Sequence, residues 1–164
     1  MKLRNSLLMK PIRYIDNRED RFTTFLPKSD DPILVICPQC NSKALIFPDT
    51  EGTVKCICTK CSFYKNKSNK SRFFYWNKEN PTDGYFGFNL WLQINCCGNS
   101  LWAFNNRHLN VLDSYINATL RERKTFKNQW CGNSSVVAKL PKWIKSHKNR
   151  EQLIKAIQKL REKL

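Results

Sequence analysis

The sequence predicts an α+β chain: a small β unit, then a mixed strand and helix domain that ends in basic amphipathic helices. Three observations carry this expectation. Short runs rich in Ile, Leu and Val lie between residues 32 and 64, separated by turn residues. Four cysteines stand there as two matched pairs, Cys37-Pro38-Gln39-Cys40 and Cys58-Thr59-Lys60-Cys61. Helical spacing of Leu and Ile begins only after residue 105. The boundaries that follow are an N-terminal arm over 1–31, a four-cysteine β unit over 32–76, and an α-helical domain with one leading β-strand over 77–164.

Residues 1–31 carry seven basic and five acidic side chains with scattered aromatics and no clear period, as a packing arm or extended segment would. "DPILVICPQC" reads as a strand entering a turn, because Ile33, Leu34, Val35 and Ile36 have high β-propensity. "KALIFPD" and "TVKCIC" are two further short strands, with "PDTEG" turning between them, and "CSFYK" continues the sheet. A polar bridge runs from Lys65 to Arg72. Phe86, Phe88, Leu90, Leu92 and Ile94 alternate at period two, which predicts a half-buried strand with Trp91 on its other face. "CGNS" then turns the chain.

Leu109, Leu112, Ile116 and Leu120 share one helical face, with Asn105 or Asn106 as the N-cap. Arg121, Arg123 and Lys124 fall at the negative end of that helix's dipole. Ser134 or Ser135 caps a further helix that Pro141 ends or bends. Asn149 caps the last one, whose apolar stripe is Leu153, Ile154, Ile157, Leu160 and Leu164.

The paired cysteines point to a metal. Two CxxC turns on neighbouring hairpins present four thiolates, and seventeen residues separate Cys40 from Cys58, a spacing that marks zinc sites. The predicted ligands are Cys37, Cys40, Cys58 and Cys61. A redox dithiol needs one pair beside a helix N-terminus, and these pairs lie among strands. A closed four-sulfur shell leaves no open coordination position, so the ion would be structural. Cys56, two residues before Cys58, reads as a small buried hydrophobe.

"CPQC…CTKC" between short strands resembles the transcription-factor-type zinc ribbon. "LWLQINCCGNSLWAFNNRHLNVLDSYINATLRER" followed by "LPKWIKSHKNREQLIKAIQKL" resembles a small family of bacterial zinc-ribbon proteins in which the ribbon precedes such a block. That likeness spans residues 33–160. It implies a bacterial cytosolic protein and brings no activity with it.

The formal net charge of +16 favours an anionic partner. No export signal or long apolar run is visible, so the expected compartment is the cytoplasm, with reduced cysteines and no membrane partner. Residues 52–76 contain no acidic side chain. Lys55, Lys60, Lys65, Lys67, Lys70 and Arg72 stand there among Phe63, Tyr64, Phe73, Phe74, Tyr75 and Trp76, rings that either stack on bases or belong to the core. Arg107, beside His108 at a helix start, is a further candidate contact, although a capped helix with a packing histidine explains it as well.

A second metal site would draw on Cys96 or Cys97 with His108 and Cys131, but these spacings match no standard motif and neighbouring cysteines on a strand face opposite ways, so packing thiols are the favoured reading. No acid pair, nucleophile elbow or phosphate-cradling glycine loop appears, so the chain is not expected to be an enzyme. Two functions fit. One is nucleic-acid binding, to DNA or RNA, mainly through electrostatic contacts. The other is neutralisation of an acidic protein partner, as an immunity protein or antitoxin does to its toxin.

Overall fold

The computed structural model describes residues 10–49, 52–68, 80–124 and 135–164. Lys70, Arg72, Phe73, Phe74, Tyr75, Trp76, Cys131 and Ser134 lie outside them. The described residues form an α+β fold, as expected. In chain order the strands are β1 (Arg13–Asp16), β2 (Ile33–Ile36), β3 (Lys43–Pro48), β4 (Thr53–Cys58), β5 (Tyr64–Ser68), β6 (Leu92–Cys96), β7 (Asn99–Ala103) and β8 (Leu120–Arg123). The helices are α1 (Asn106–Asn117), α2 (Lys142–Lys145) and α3 (Arg150–Arg161).

Strands β2, β3, β4 and β5 form an antiparallel meander in that order. Side chains alternate across a strand, and β3 and β4 show it in full. Ile33, Val35, Ala44, Ile46, Val54, Cys56 and Cys58 are buried together on one face. Lys65 and Lys67 on β5 pair in register with Cys56 and Val54, so they cover the outer end of that same face.

The outer edge of β2 is closed by the following domain. Leu34 N donates to Phe104 O at 2.9 Å and Ile36 N to Asn89 O at 2.8 Å, while Leu34 O accepts from Trp91 N at 2.9 Å. A bare edge would otherwise offer unpaired backbone groups. These bonds merge the four-cysteine unit with the rest: one cluster of buried residues runs from Phe22 through Val35 and Leu90 to Leu112 and Leu160.

The strand expected over residues 86–94 forms only from Leu92. Before it, Asp83 folds the chain back: its carboxylate accepts from Tyr85 N at 2.7 Å, Phe86 N at 2.7 Å and Phe88 N at 2.6 Å. Those N–H groups are thereby withdrawn from any ladder. In place of one leading strand, β6 and β7 make a hairpin and β8 adds a third strand. The hairpin loop is Cys97-Gly98, with φ of 53° and 71°, the positive pair a two-residue type I′ turn demands.

Helix α1 starts as predicted, with Asn105 Oδ1 accepting from His108 N at 3.1 Å. Leu109, Leu112 and Ile116 are buried, but Leu120 is on β8 and exposed. The helix ends at Asn117, with Ala118 extended, and arginines satisfy its last carbonyls: Arg121 Nε donates to Tyr115 O at 3.0 Å, and Arg150 donates to Asn117 O. The chain then leaves in β8, which pairs in parallel with β1.

The segment 10–31 packs into the core. Phe22 and Phe25 are buried, and the Phe25 ring stacks on His108 at 4.6 Å. Residues 135–140 form turns where a helix is expected. Ser135 makes the expected capping bond, its Oγ accepting from Ala138 N at 3.1 Å, but Val136 and Val137, β-branched, disfavour a helix there. Pro141 precedes a helix, α2, where it is expected to end one, a position its fixed φ suits. Asn149 stands at the start of α3 without capping it, and its Nδ2 donates to Trp143 O at 2.9 Å. Leu153, Ile157 and Leu160 are buried as expected, and Leu164 is exposed.

Candidate metal centre

The two CxxC loops are built alike. Cys37 follows β2 directly and Cys58 closes β4. In the first loop Cys37 N donates to Ser42 O at 2.8 Å; in the second Cys58 N donates to Phe63 O at 2.9 Å. Each bond closes a turn from the first cysteine to the residue five places on. Each loop needs one left-handed residue after its second cysteine, and Asn41 (φ 59°) and Ser62 (φ 58°) supply it. Asparagine accepts that conformation readily, serine less so.

Together the loops bring the Sγ atoms of Cys37, Cys40, Cys58 and Cys61 within 4.8 Å of one another. Sulfurs from opposite loops lie 3.6 Å apart for Cys37 and Cys61 and 3.6 Å apart for Cys40 and Cys58. These separations are far beyond a disulfide bond of about 2.05 Å. A tetrahedral ion with bonds of about 2.3 Å to sulfur has edges of roughly 3.8 Å, so the cluster can hold a metal ion with little adjustment. Hydrogen bonds with Ser42 pull the Cys40 thiol down to about 6, while burial pushes Cys61 up to about 12. Among the described residues this is the one cluster of three or more Cys, His, Asp or Glu with metal-binding geometry. Cys56 stays out of it, fully buried, and burial pushes its thiol up to about 12.

The described basic candidates fall in two places. Lys60 stands exposed in the second loop, and Lys65 and Lys67 are exposed on β5. Lys65 Nζ lies over the Phe88 ring at 5.5 Å and the Phe86 ring at 6.0 Å, and Lys67 Nζ donates to Tyr85 O at 2.7 Å. Lys55 pairs with Asp49 at 3.3 Å. Arg107 is elsewhere, at the start of α1, where it pairs with Asp31 and donates to Leu26 O at 2.9 Å, clipping the N-terminal segment to the helix.

Of the described rings in this region, Tyr64 is 58% exposed, whereas Phe63 is half-buried with its ring 6.0 Å from Phe88. Phe88 in turn stacks on Phe86 at 5.4 Å. That aromatic ladder beside the metal loops is absent from the sequence expectation, which assigns Phe86 and Phe88 to a strand. The Asp-Gly dipeptide at 83–84 is the turn signal that points to it.

His108 is fully buried among Phe22, Phe25, Trp102 and Phe104, and its Nδ1 accepts from Phe104 N at 3.3 Å. Burial holds its pKa down at about 3. It is a neutral core group rather than a ligand. No helix among the described residues is long and apolar enough to cross a membrane. No family model, curated protein or solved structure matches the chain.

Proposed function

We propose that the four-cysteine cluster holds one structural zinc ion and that the hairpin it braces binds nucleic acid. Four thiolates at tetrahedral spacing suit zinc, a borderline-soft ion without redox chemistry. A closed shell leaves no position for substrate, which supports a bracing role rather than a hydrolytic one.

The observation that carries the nucleic-acid reading is the β4–β5 hairpin with its loop. Residues 52–68 contain four lysines and no acid; Lys60 is exposed in the second loop, Tyr64 is exposed on one face of β5, and Lys65 and Lys67 are exposed on its other face. Exposed cations neutralise phosphates, and an exposed ring offers a face to a base. Binding of this kind depends on charge and tolerates sequence.

The test is fluorescence anisotropy of the full chain with duplex DNA, single-stranded DNA and RNA at about 50 mM salt, followed by a salt titration. Binding should weaken steeply with salt. Each of Lys60→Ala, Lys65→Ala and Lys67→Ala should flatten the log–log slope on duplex by about 0.9, while Lys148→Ala, outside that hairpin, leaves it unchanged. No binding to any of the three at low salt sinks the nucleic-acid reading, and a single acidic protein recovered from a nuclease-treated lysate would replace it.

A further inference from the structure

Cys96 and Cys97 do not face opposite ways. Cys96 ends β6, but Cys97 is the first residue of the hairpin turn, with φ of 53°. The left-handed residue swings its side chain back, and the two Sγ atoms lie 3.5 Å apart. Cys97 is half-buried, and its thiol donates to Gln152 Oε1 on α3 at 3.2 Å. Ile94, Asn95, Gln152, Lys155 and Lys159 complete a shallow solvent-open hollow around the pair.

We propose that Cys96 and Cys97 form a second thiophilic site, a two-sulfur chelate for a trivalent metalloid of the arsenite and antimonite class. The bite selects the ligand. It is too long for a disulfide of about 2.05 Å. It is too short for a linear two-coordinate ion, whose sulfurs stand roughly 4.6 Å apart with bonds of about 2.3 Å. With the same bond length a 3.5 Å bite subtends roughly 100° at the centre, the angle of a pyramidal trivalent atom. Zinc would need four donors, and no third Cys, His, Asp or Glu joins this pair among the described residues. A trivalent metalloid needs only two sulfurs and brings its own third substituent.

The residue choice supports this. At a type I′ position asparagine or glycine sits with little strain, whereas a cysteine is strained. The thiol at 97 therefore stands where turn stability alone favours another residue.

With phenylarsine oxide the step is balanced without any oxidant. Two S–H bonds and the arsenic–oxygen bond break, two As–S bonds form, and the oxygen leaves as water with both protons. Cys97, the more exposed, reacts first. Cys96, already 3.5 Å away, then closes the ring at high effective concentration, so a monothiol cannot compete.

The experiment is intact-mass analysis of the full chain, as purified, after one equivalent of phenylarsine oxide, with bound metal measured in parallel. The expected result is one phenylarsenic adduct per chain with no loss of metal, stable to excess glutathione and removed by a 1,2-dithiol. Cys97→Asn, which suits the turn and keeps the fold, should abolish the adduct, while Cys131→Ser should keep it. An adduct that persists in Cys97→Asn, vanishes in Cys131→Ser or forms only as metal is released overturns the proposal. None of these outcomes bears on nucleic-acid binding.

Discussion

The Sγ atoms of Cys37 and Cys61 lie 3.6 Å apart across 24 residues of chain. That contact joins the end of β2 to the loop beyond β4, so the middle of the sheet is tied at one end by side chains. A structural four-cysteine zinc site contributes about 10–16 kcal/mol of apparent binding energy, comparable with the whole stability of a domain, about 5–15 kcal/mol. Cys37→Ala should therefore remove the cooperative thermal transition at neutral pH. Near- and far-ultraviolet circular dichroism during heating checks this.

Ser62 holds a left-handed conformation in the second loop with φ of 58°. Serine pays a steric cost there that glycine does not. Ser62→Gly should stabilise the metal-bound chain by about 0.5–1 kcal/mol, the steric relief less the added chain entropy of the unfolded state. Ser62→Val should destabilise it. Denaturant midpoints of the three proteins decide the matter.

His108 gives the fold a defined acid sensitivity. Burial lowers its pKa from 6.5 to about 3, so below pH 6.5 the unfolded chain takes up a proton that the folded chain refuses. The stabilisation is complete above the unfolded pKa and is lost as pH falls toward the folded one. Across that window this residue alone contributes a slope of about 1.4 kcal/mol per pH unit at most. His108→Phe should be less stable at pH 7, because the Phe104 N–H loses its acceptor, yet show a flatter acid limb. Urea unfolding between pH 7 and 4 measures both.

Asp83 organises the turn that carries the Phe86–Phe88 stack. Burial raises its pKa, and the three N–H donors counter part of that rise. Asp83→Ala strands those donors and should cost at least about 3 kcal/mol. Removing the turn also takes the rings from beneath Lys65. Thermal unfolding of the variant tests the cost, and a loss below about 1 kcal/mol would show that water replaces the carboxylate.

Much of this architecture was legible in the residues. The four-cysteine cluster follows from two CxxC pairs on neighbouring strands. The β3 and β4 strands follow from strict alternation, and the start of α1 from Asn105 ahead of an apolar stripe. Other features failed to show because a turn or a distant partner overrides the local period. Leu120 continues the helical period, but it pairs in β8 with Arg13 of β1, more than a hundred residues earlier. Phe86 and Phe88 alternate like a strand, yet a buried carboxylate claims their N–H groups. Cys96 and Cys97 look like opposite faces of one strand until the turn begins between them. The segment 10–31 lacks a period because its order comes from Phe25 on His108 and Arg107 on Asp31, contacts that no local pattern records.

Zinc bound by four converging cysteines is the claim on which the rest depends, and native mass spectrometry of the full chain tests it most directly. The wild-type chain should carry the mass of one zinc ion, and Cys61→Ser should carry none. A wild-type chain without metal, or a Cys61→Ser chain that keeps its zinc, would contradict the account.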